Sequence, residues 1–383
     1  MVARGRPAVP RGTWRRGHAL VAIPLAFIAV ISAVDIASPP TIHLGPLLVV
    51  APAITASFAG PWLTGLIGAL AVLAQVLIGV FHGGLGTTNH QTQIIALVVV
   101  STLIVLYCRV RDRRRRELTR VRSVSETVQR VLLRPLPDRL GPLRVAAFYL
   151  AAEAEADVGG DLYAATRVPG ATRVIVGDVR GKGLTAIEDA AAVLGAFREL
   201  AHHHADLPAL AAGLDASFGR HLAETGDEGE AAERFVTAML VDLPDDGGPV
   251  GITNCGHPPP LLLAGGRAVR VLEPGAAADG HPGDGCGAPP IGLGSLPGIR
   301  YEVDTFDVGP GETLLLYTDG VTEARDGDRA FYPLLERAAR WSAHGTAALE
   351  PAALLARLRR DLLAHGGGRL KDDAAAVAVA RPA

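Results

Sequence analysis

The chain has 383 residues, enough for more than one domain, with a formal net charge of -2 and 20% charged residues. That balance is uneven: from Ile36 to Cys108 there is no Asp, Glu, Lys or Arg. A soluble domain needs a charged outer surface, so this stretch is not one, and it reads as membrane. The three cysteines, Cys108, Cys255 and Cys286, form no CxxC pair and no disulfide framework, which fits a reducing compartment for the soluble part. Cys255 reads as a small buried apolar residue and not as a catalytic thiol.

Residues 1–18 form a basic N-terminus with Arg4, Arg6, Arg11, Arg15 and Arg16. Four apolar runs follow, at 19–37, 43–60, 62–81 and 92–109, making residues 19–109 a four-helix transmembrane region. Each run is near the roughly 20 residues that a helix needs to cross the hydrocarbon core. Pro39-Pro40, Gly60-Pro61 and the segment from His82 to Gly86 mark the turns. After the fourth run comes a second basic segment, Arg109 to Arg116, interrupted only by Val110 and Asp112. Lys and Arg collect on the cytoplasmic side, and four spans put both basic ends there. The expectation is a multi-pass protein of the cell membrane with both termini and the soluble domain in the cytoplasm. No small-x-small cleavage site precedes a soluble domain, which argues against a cleaved signal peptide. The spans hold no buried acid–base pair, which favours an anchor over a transporter.

Residues 110–142 form a linker. Leu118, Val121, Val124, Val128, Val131 and Leu132 recur at spacings of three and four, so a helix is predicted that stops before Pro135. Two readings stay open. The helix pairs with a second copy, giving a homodimer that passes a signal, or it is a spacer with a basic collar against lipid.

From residue 143 to 383 the pattern changes. Strands are predicted at Leu143–Leu150, Arg173–Asp178, Phe235–Leu243, Val250–Thr253, Pro260–Leu263, Thr313–Tyr317 and Ala374–Ala380, and helices at 184–202, 208–223, 330–342 and 347–364. The two types do not alternate regularly. That favours an α+β sandwich with antiparallel sheets over a parallel doubly wound sheet.

Several aspartates fall at strand ends beside glycine or another acid. Asp161 follows Gly159-Gly160; Asp178 precedes Val179-Arg180-Gly181-Lys182-Gly183; Asp319 precedes Gly320; Asp372-Asp373 precede the last strand. Gathered carboxylates raise one another's pKa unless something positive lies among them. Hard divalent cations meet that need and prefer oxygen ligands, and two of them can activate water for attack on phosphorus. No His or Cys stands at metal-ligand spacing, which speaks against zinc.

Five segments then carry a resemblance: Asp157 to Tyr163, Gly177 to Ala186, Asn254 to Pro259, Leu316 to Glu323, and Lys371-Asp372-Asp373. In this order they resemble the motifs of the SpoIIE-like branch of the PPM, or metal-dependent, protein phosphatases over residues 143–381. The resemblance implies a four-layer α-β-β-α sandwich holding two Mn²⁺ or Mg²⁺ ions. It implies hydrolysis of phosphoserine or phosphothreonine by metal-activated water. Asp161 would bridge both cations with help from the Leu162 carbonyl, and Asp319 and Asp372 would complete the other site. Asp178 matches an acid kept near the metals, and Asp373 is counted with the ligands as the immediate neighbour of Asp372. The helix after Gly183 resembles the element through which such enzymes are switched. The implied partner is a phosphorylated anti-anti-sigma regulator of the STAS type. Two departures are Ala164, where the family often has an acid, and an alanine-rich last strand.

Other features weigh less. The stretch from Gly177 to Lys182 is one residue short of a P-loop and lacks its Ser or Thr. His202-His203-His204 reads as a solvated helix end, His257 as a structural turn residue or a neighbour of the substrate phosphate, and Pro274–Pro290 as a loop beside the site. With no sustained basic patch in the soluble part, nucleic acid is not an expected partner. The sequence thus predicts a membrane-anchored metal-dependent serine/threonine phosphatase. The alternative is a catalytically silent membrane sensor that binds a regulatory partner.

Overall fold

The computed structural model describes residues 13–38, 44–81, 88–152, 159–225, 233–273, 288–294, 300–343, 345 and 349–381. The turns expected at Pro39-Pro40 and from His82 to Gly86 lie outside these residues, as do Asp157, Val158, Cys286 and most of the Pro274–Pro290 loop. The chain divides into two compact units, Met1–Arg120 and Val121–Ala383.

The first unit is helical. Helix α1 spans Thr13–Ala37, a 3-10 turn at Gly45–Val49 leads into α2 (Val50–Phe58), and α3 spans Pro61–Phe81. Helix α4 runs over Thr88–Leu132, and its apolar part belongs to this unit. Among the described residues, three segments are long and apolar enough to cross a membrane: Leu20–Ala37, Pro61–Phe81 and His90–Arg114. The second predicted run differs from the other three, because Gly45–Phe58 is a shorter apolar stretch. Its prolines explain this. Pro46 opens the 3-10 turn and Pro52 sits in the first turn of α2, where a missing N–H is tolerated, and Pro61 forces a fresh start for α3. Arg111 on α4 caps the end of α2, donating to the carbonyls of Ala56 at 2.5 Å and Ala59 at 3.0 Å.

The second unit carries two antiparallel sheets. The strands are β1 (Arg139–Leu140), β2 (Leu143–Leu150), β3 (Leu162–Val168), β4 (Ala171–Val179), β5 (Val236–Pro244), β6 (Val250–Cys255), β7 (Leu261–Leu263), β8 (Arg270–Val271), β9 (Asp304–Phe306), β10 (Thr313–Tyr317) and β11 (Ala374–Ala380). One sheet has the order β1-β2-β11-β10-β7-β8 and the other β3-β4-β5-β6-β9. Helices α5 (Leu184–His203) and α6 (Leu207–Thr225) cover the second sheet; α7 (Asp319–Thr322) is one short turn; α8 (Leu334–Ser342) and α9 (Pro351–His365) cover the first. The four layers are therefore α-β-β-α, the predicted architecture.

The period-2 geometry of a strand accounts for this layering. On β11, Ala375, Val377 and Val379 enter the core between the sheets, while Ala374, Ala376 and Ala378 enter a second core beneath α8 and α9. Leu314 and Leu316 of β10 share the first core, and Leu315 and Tyr317 the second. Both strands are thus buried on both faces, and the small alanine face of β11 lets α9 lie close. Strand β3 was not predicted. Its middle, Ala164-Ala165-Thr166-Arg167, has little apolar patterning, and its pairing with β4, Leu162 to Gly177 through Val168 to Ala171, holds it in the sheet.

Candidate metal centre

Three of the strand-end acids converge. Asp161 precedes β3, Asp178 lies near the end of β4, and Asp319 begins α7 just after β10. Each offers a carboxylate oxygen, and these oxygens lie within 4.8 Å of one another. Among the described residues no other group of three His, Cys, Asp or Glu side chains does this. They line an open cavity of about 300 Å³ together with Arg180, Lys182, Phe235, Asp372 and Asp373.

Close backbone approach makes the convergence possible. At Gly160 a Cβ would stand 2.5 Å from the Val179 Cβ, and at Gly320 it would stand 1.7 Å from the Asp373 carbonyl oxygen. Only glycine lets β3 and β4, and α7 and β11, meet there. Thr318 then fixes the first acid. Its hydroxyl accepts from the Ala375 N–H at 2.9 Å and donates to Asp161 Oδ2 at 2.7 Å. The orientation of Asp161 is thereby tied to the backbone of β11.

The electrostatics are those of crowded, poorly solvated acids. Asp161 is 3% exposed, and burial followed by the Asp178 charge pushes its pKa well above the usual carboxylate range. Burial, then Asp319 and Asp372, pushes Asp178 up to about 7. Asp319 is raised by burial, then by Glu323 and Asp372. An all-oxygen set of mutually repelling carboxylates fits hard divalent cations, which would relieve that repulsion directly.

The two neighbouring aspartates behave differently. Asp372 is half exposed and accepts from Lys182 Nζ at 2.9 Å. Asp373 is buried, and both its oxygens are occupied. Oδ1 accepts from the Ala152 N–H at 2.7 Å, and Oδ2 accepts from the Gly159 N–H at 2.6 Å and from the Tyr149 hydroxyl. Tyr149 also reaches Gln129 Oε1 at 2.8 Å, and Gln129 Nε2 donates to the Gly159 carbonyl. Leu162 has a fully buried side chain. Only its carbonyl is left to act as a ligand.

His257 is a strut. Its ring is buried, with Nε2 at 3.1 Å from the Tyr317 carbonyl and Nδ1 at 3.3 Å from the Thr237 hydroxyl. Nε2 must therefore carry the proton, and burial lowers the pKa to about 4. Asn254 closes the turn, accepting from the His257 N–H and donating to its carbonyl. Cys255 is buried, and burial pushes its thiol up to about 12, far from a nucleophile. Of the histidine run, His203 pairs with Glu199 one turn earlier. Tyr149, Gln129 and Lys182 were not among the site residues predicted. Tyr149 and Gln129 sit in ordinary strand and helix patterns, so no local signal marks them.

Four layers with an acidic cleft define the class: this is a PP2C-like, or PPM-type, phosphatase domain. Residues 169–382 match the Stage II sporulation protein E (SpoIIE) family, and the chain belongs to that family. The fold is also that of the SiaA-PP2C domain of Pseudomonas aeruginosa, with a TM-score of 0.52 and 19% identity, covering 70% of this chain and 98% of that one. The RsbU and RsbW domains of Rv1364c from Mycobacterium tuberculosis give a TM-score of 0.48 and 25% identity, over 63% of this chain and 60% of that one. Protein IcfG of Synechocystis sp. is 27% identical over 149 residues, 38% of this chain. The chain spans only 21% of the length of IcfG.

Proposed function

We propose that this chain is a membrane-anchored, metal-dependent protein serine/threonine phosphatase. The observation that carries the reading is the convergence of Asp161, Asp178 and Asp319 within 4.8 Å at an open cleft. In this reading Asp161, the Leu162 carbonyl, Asp178, Asp319 and Asp372 hold two divalent cations, Mn²⁺ or Mg²⁺. Asp373, grouped with the ligands on sequence, is assigned to the scaffold, since three protein donors already occupy its oxygens. Bound divalent cations supply Lewis acidity, which neutralises phosphoryl oxygens and lowers the pKa of water for in-line attack on phosphorus. The protein's part is positioning. Thr318 orients Asp161, Asp373 and Tyr149 hold the Gly159-Gly160 approach, and His257 braces the end of β10 that presents Asp319. Arg180 and Lys182 line the cavity and offer positive charge to an incoming phosphate.

Membership of the SpoIIE family supports a phosphorylated STAS-type regulator as the substrate. The apolar helices of span length support a cell-membrane anchor, and the basic run from Arg109 to Arg116 that precedes the catalytic domain supports a cytoplasmic place for that domain. Turnover of a small aryl phosphate, with Mn²⁺ and with chelator, tests the enzyme. Metal-dependent release of phosphate is expected. A chain that binds a STAS protein yet releases no phosphate would be the silent sensor instead.

A further inference from the structure

The chain contains 37 Lys and Arg residues, of which Lys182 and Lys371 are the only lysines. Lys371 precedes Asp372 in sequence, and Lys182 Nζ stands 2.9 Å from Asp372 Oδ1. A chain that otherwise uses arginine throughout thus places an ammonium group, that of Lys182, at this acid. The two cations are not equivalent. A guanidinium grips a carboxylate through two parallel hydrogen bonds, whereas an ammonium is a compact point charge on a flexible stem and lets go readily.

The setting favours release. The side chains of Lys182 and Asp372 are 44% and 50% exposed, so their ion pair is weak and displaceable. Lys182 stands between Gly181 and Gly183, both left-handed with φ of 114° and 90°. A Cβ at Gly181 would meet nothing within 4 Å, so nothing packs against the backbone on that side of Lys182. Lys182 and Asp372 line the same cavity as Asp161, Asp178 and Asp319.

We propose that Lys182 is an exchangeable counter-cation of the site. It neutralises Asp372 until a divalent cation takes that carboxylate, and the freed ammonium then binds a phosphate oxygen of the substrate or product. Lys182 in this role competes with metal and assists phosphate, two effects of opposite sign in one residue. The proposal rests on the metallophosphatase reading above. Its test uses the full chain in detergent at low ionic strength, titrated calorimetrically with Mn²⁺ and then, when Mn²⁺-saturated, with inorganic phosphate. Lys182→Met is expected to bind Mn²⁺ about two- to five-fold more tightly than the wild type, the range released when an exposed ion pair is removed. Its affinity for phosphate is expected to fall about five-fold, as a charge-assisted contact is lost. Lys182→Arg, which holds Asp372 through two bonds, is expected to bind Mn²⁺ no more tightly than the wild type. Unchanged or weaker Mn²⁺ binding in Lys182→Met, or unchanged phosphate binding, overturns the proposal. A wild-type chain that binds no Mn²⁺ overturns the metallophosphatase reading itself.

Discussion

Asp189 and Asp161 are both almost fully buried, 1% and 3% exposed, yet their surroundings are opposite. Asp189, on α5, accepts from Arg234 Nε at 2.9 Å and from Arg234 Nη2, and lies 2.9 Å from His221 Nε2. The cost of burying its charge is offset within the protein. Asp161 receives a hydroxyl from Thr318 and is otherwise crowded by Asp178, Asp373 and Asp319. The same residue type, equally buried, is satisfied in one place and left in electrostatic conflict in the other. Conflict of that kind marks a binding site, and satisfaction marks a strut.

Substitution separates the two most sharply. Asp161→Asn is expected to reduce metal-dependent turnover by at least about 10³-fold, because the accelerations demanded by phosphate ester hydrolysis are so large. Its thermal stability in chelator should rise, since a repelling charge is gone. Asp189→Ala is expected to leave turnover per folded molecule within a few-fold. It should cost about 3–5 kcal/mol of stability, because Arg234 loses its buried partner. Denaturant melts and assays on both variants check this. A destabilised Asp161→Asn with normal turnover would erase the contrast.

Next in size come the neighbours Asp372 and Asp373. Asp373→Ala removes the acceptor of three hydrogen bonds and is expected to destabilise the domain by about 2–4 kcal/mol, at roughly 1 kcal/mol for each bond. Asp372→Ala loses one exposed ion pair and the hydrogen bond from the Asp373 N–H, so it should cost only about 1 kcal/mol of stability while Mn²⁺ affinity falls. Comparing melts with Mn²⁺ titrations decides it, and reversed phenotypes would exchange the two assignments. Tyr149→Phe, which removes one hydroxyl from the same network, should cost about 1 kcal/mol.

The pH dependence of the metal-free chain is the subtler difference. Asp178 is raised from 3.8 to about 7 in the fold. A group raised on folding contributes its stability fully below the unfolded pKa and loses it as pH climbs through the folded one. The contribution of Asp178 is therefore full below about 3.8 and gone above about 7. His257 is lowered from 6.5 to about 4, so its contribution is full above 6.5 and lost as pH falls toward 4. The two slopes oppose each other between those limits. Asp161 and Asp319 are raised as well, so in chelator wild-type stability should fall as pH climbs toward 7, whereas Asp178→Asn should fall less steeply and exceed the wild type at pH 8. Melting curves in buffered chelator measure this, and identical pH profiles for the two proteins would contradict it.

Much of this was legible in sequence where one face or both faces of a strand are apolar. Leu143–Leu150, Thr313–Tyr317 and Ala374–Ala380 were predicted to the residue, because burial on a sheet imposes a continuous or alternating pattern. Leu162–Val168 escaped because its strand state comes from pairing with β4. The run 43–60 reads as one apolar segment because composition does not register the 3-10 turn at Gly45–Val49 that shortens helix α2. Asp161, Asp178 and Asp319 were readable as strand-end acids that meet. Asp372 and Asp373 were not separable by type or position. Their difference lies in Ala152, Gly159 and Tyr149, which are distant in sequence. The ambiguity of His257 had the same origin, since its partners Thr237 and Tyr317 come from other strands.

The central claim is that the acids around Asp161 form a cation site and those around Asp189 do not. Calorimetric titration of the full chain with Mn²⁺ tests it most directly, comparing the wild type with Asp161→Asn and Asp189→Ala. The account predicts saturable binding in the wild type, loss of that binding in Asp161→Asn, and binding retained in folded Asp189→Ala. Undiminished Mn²⁺ binding by Asp161→Asn would contradict it.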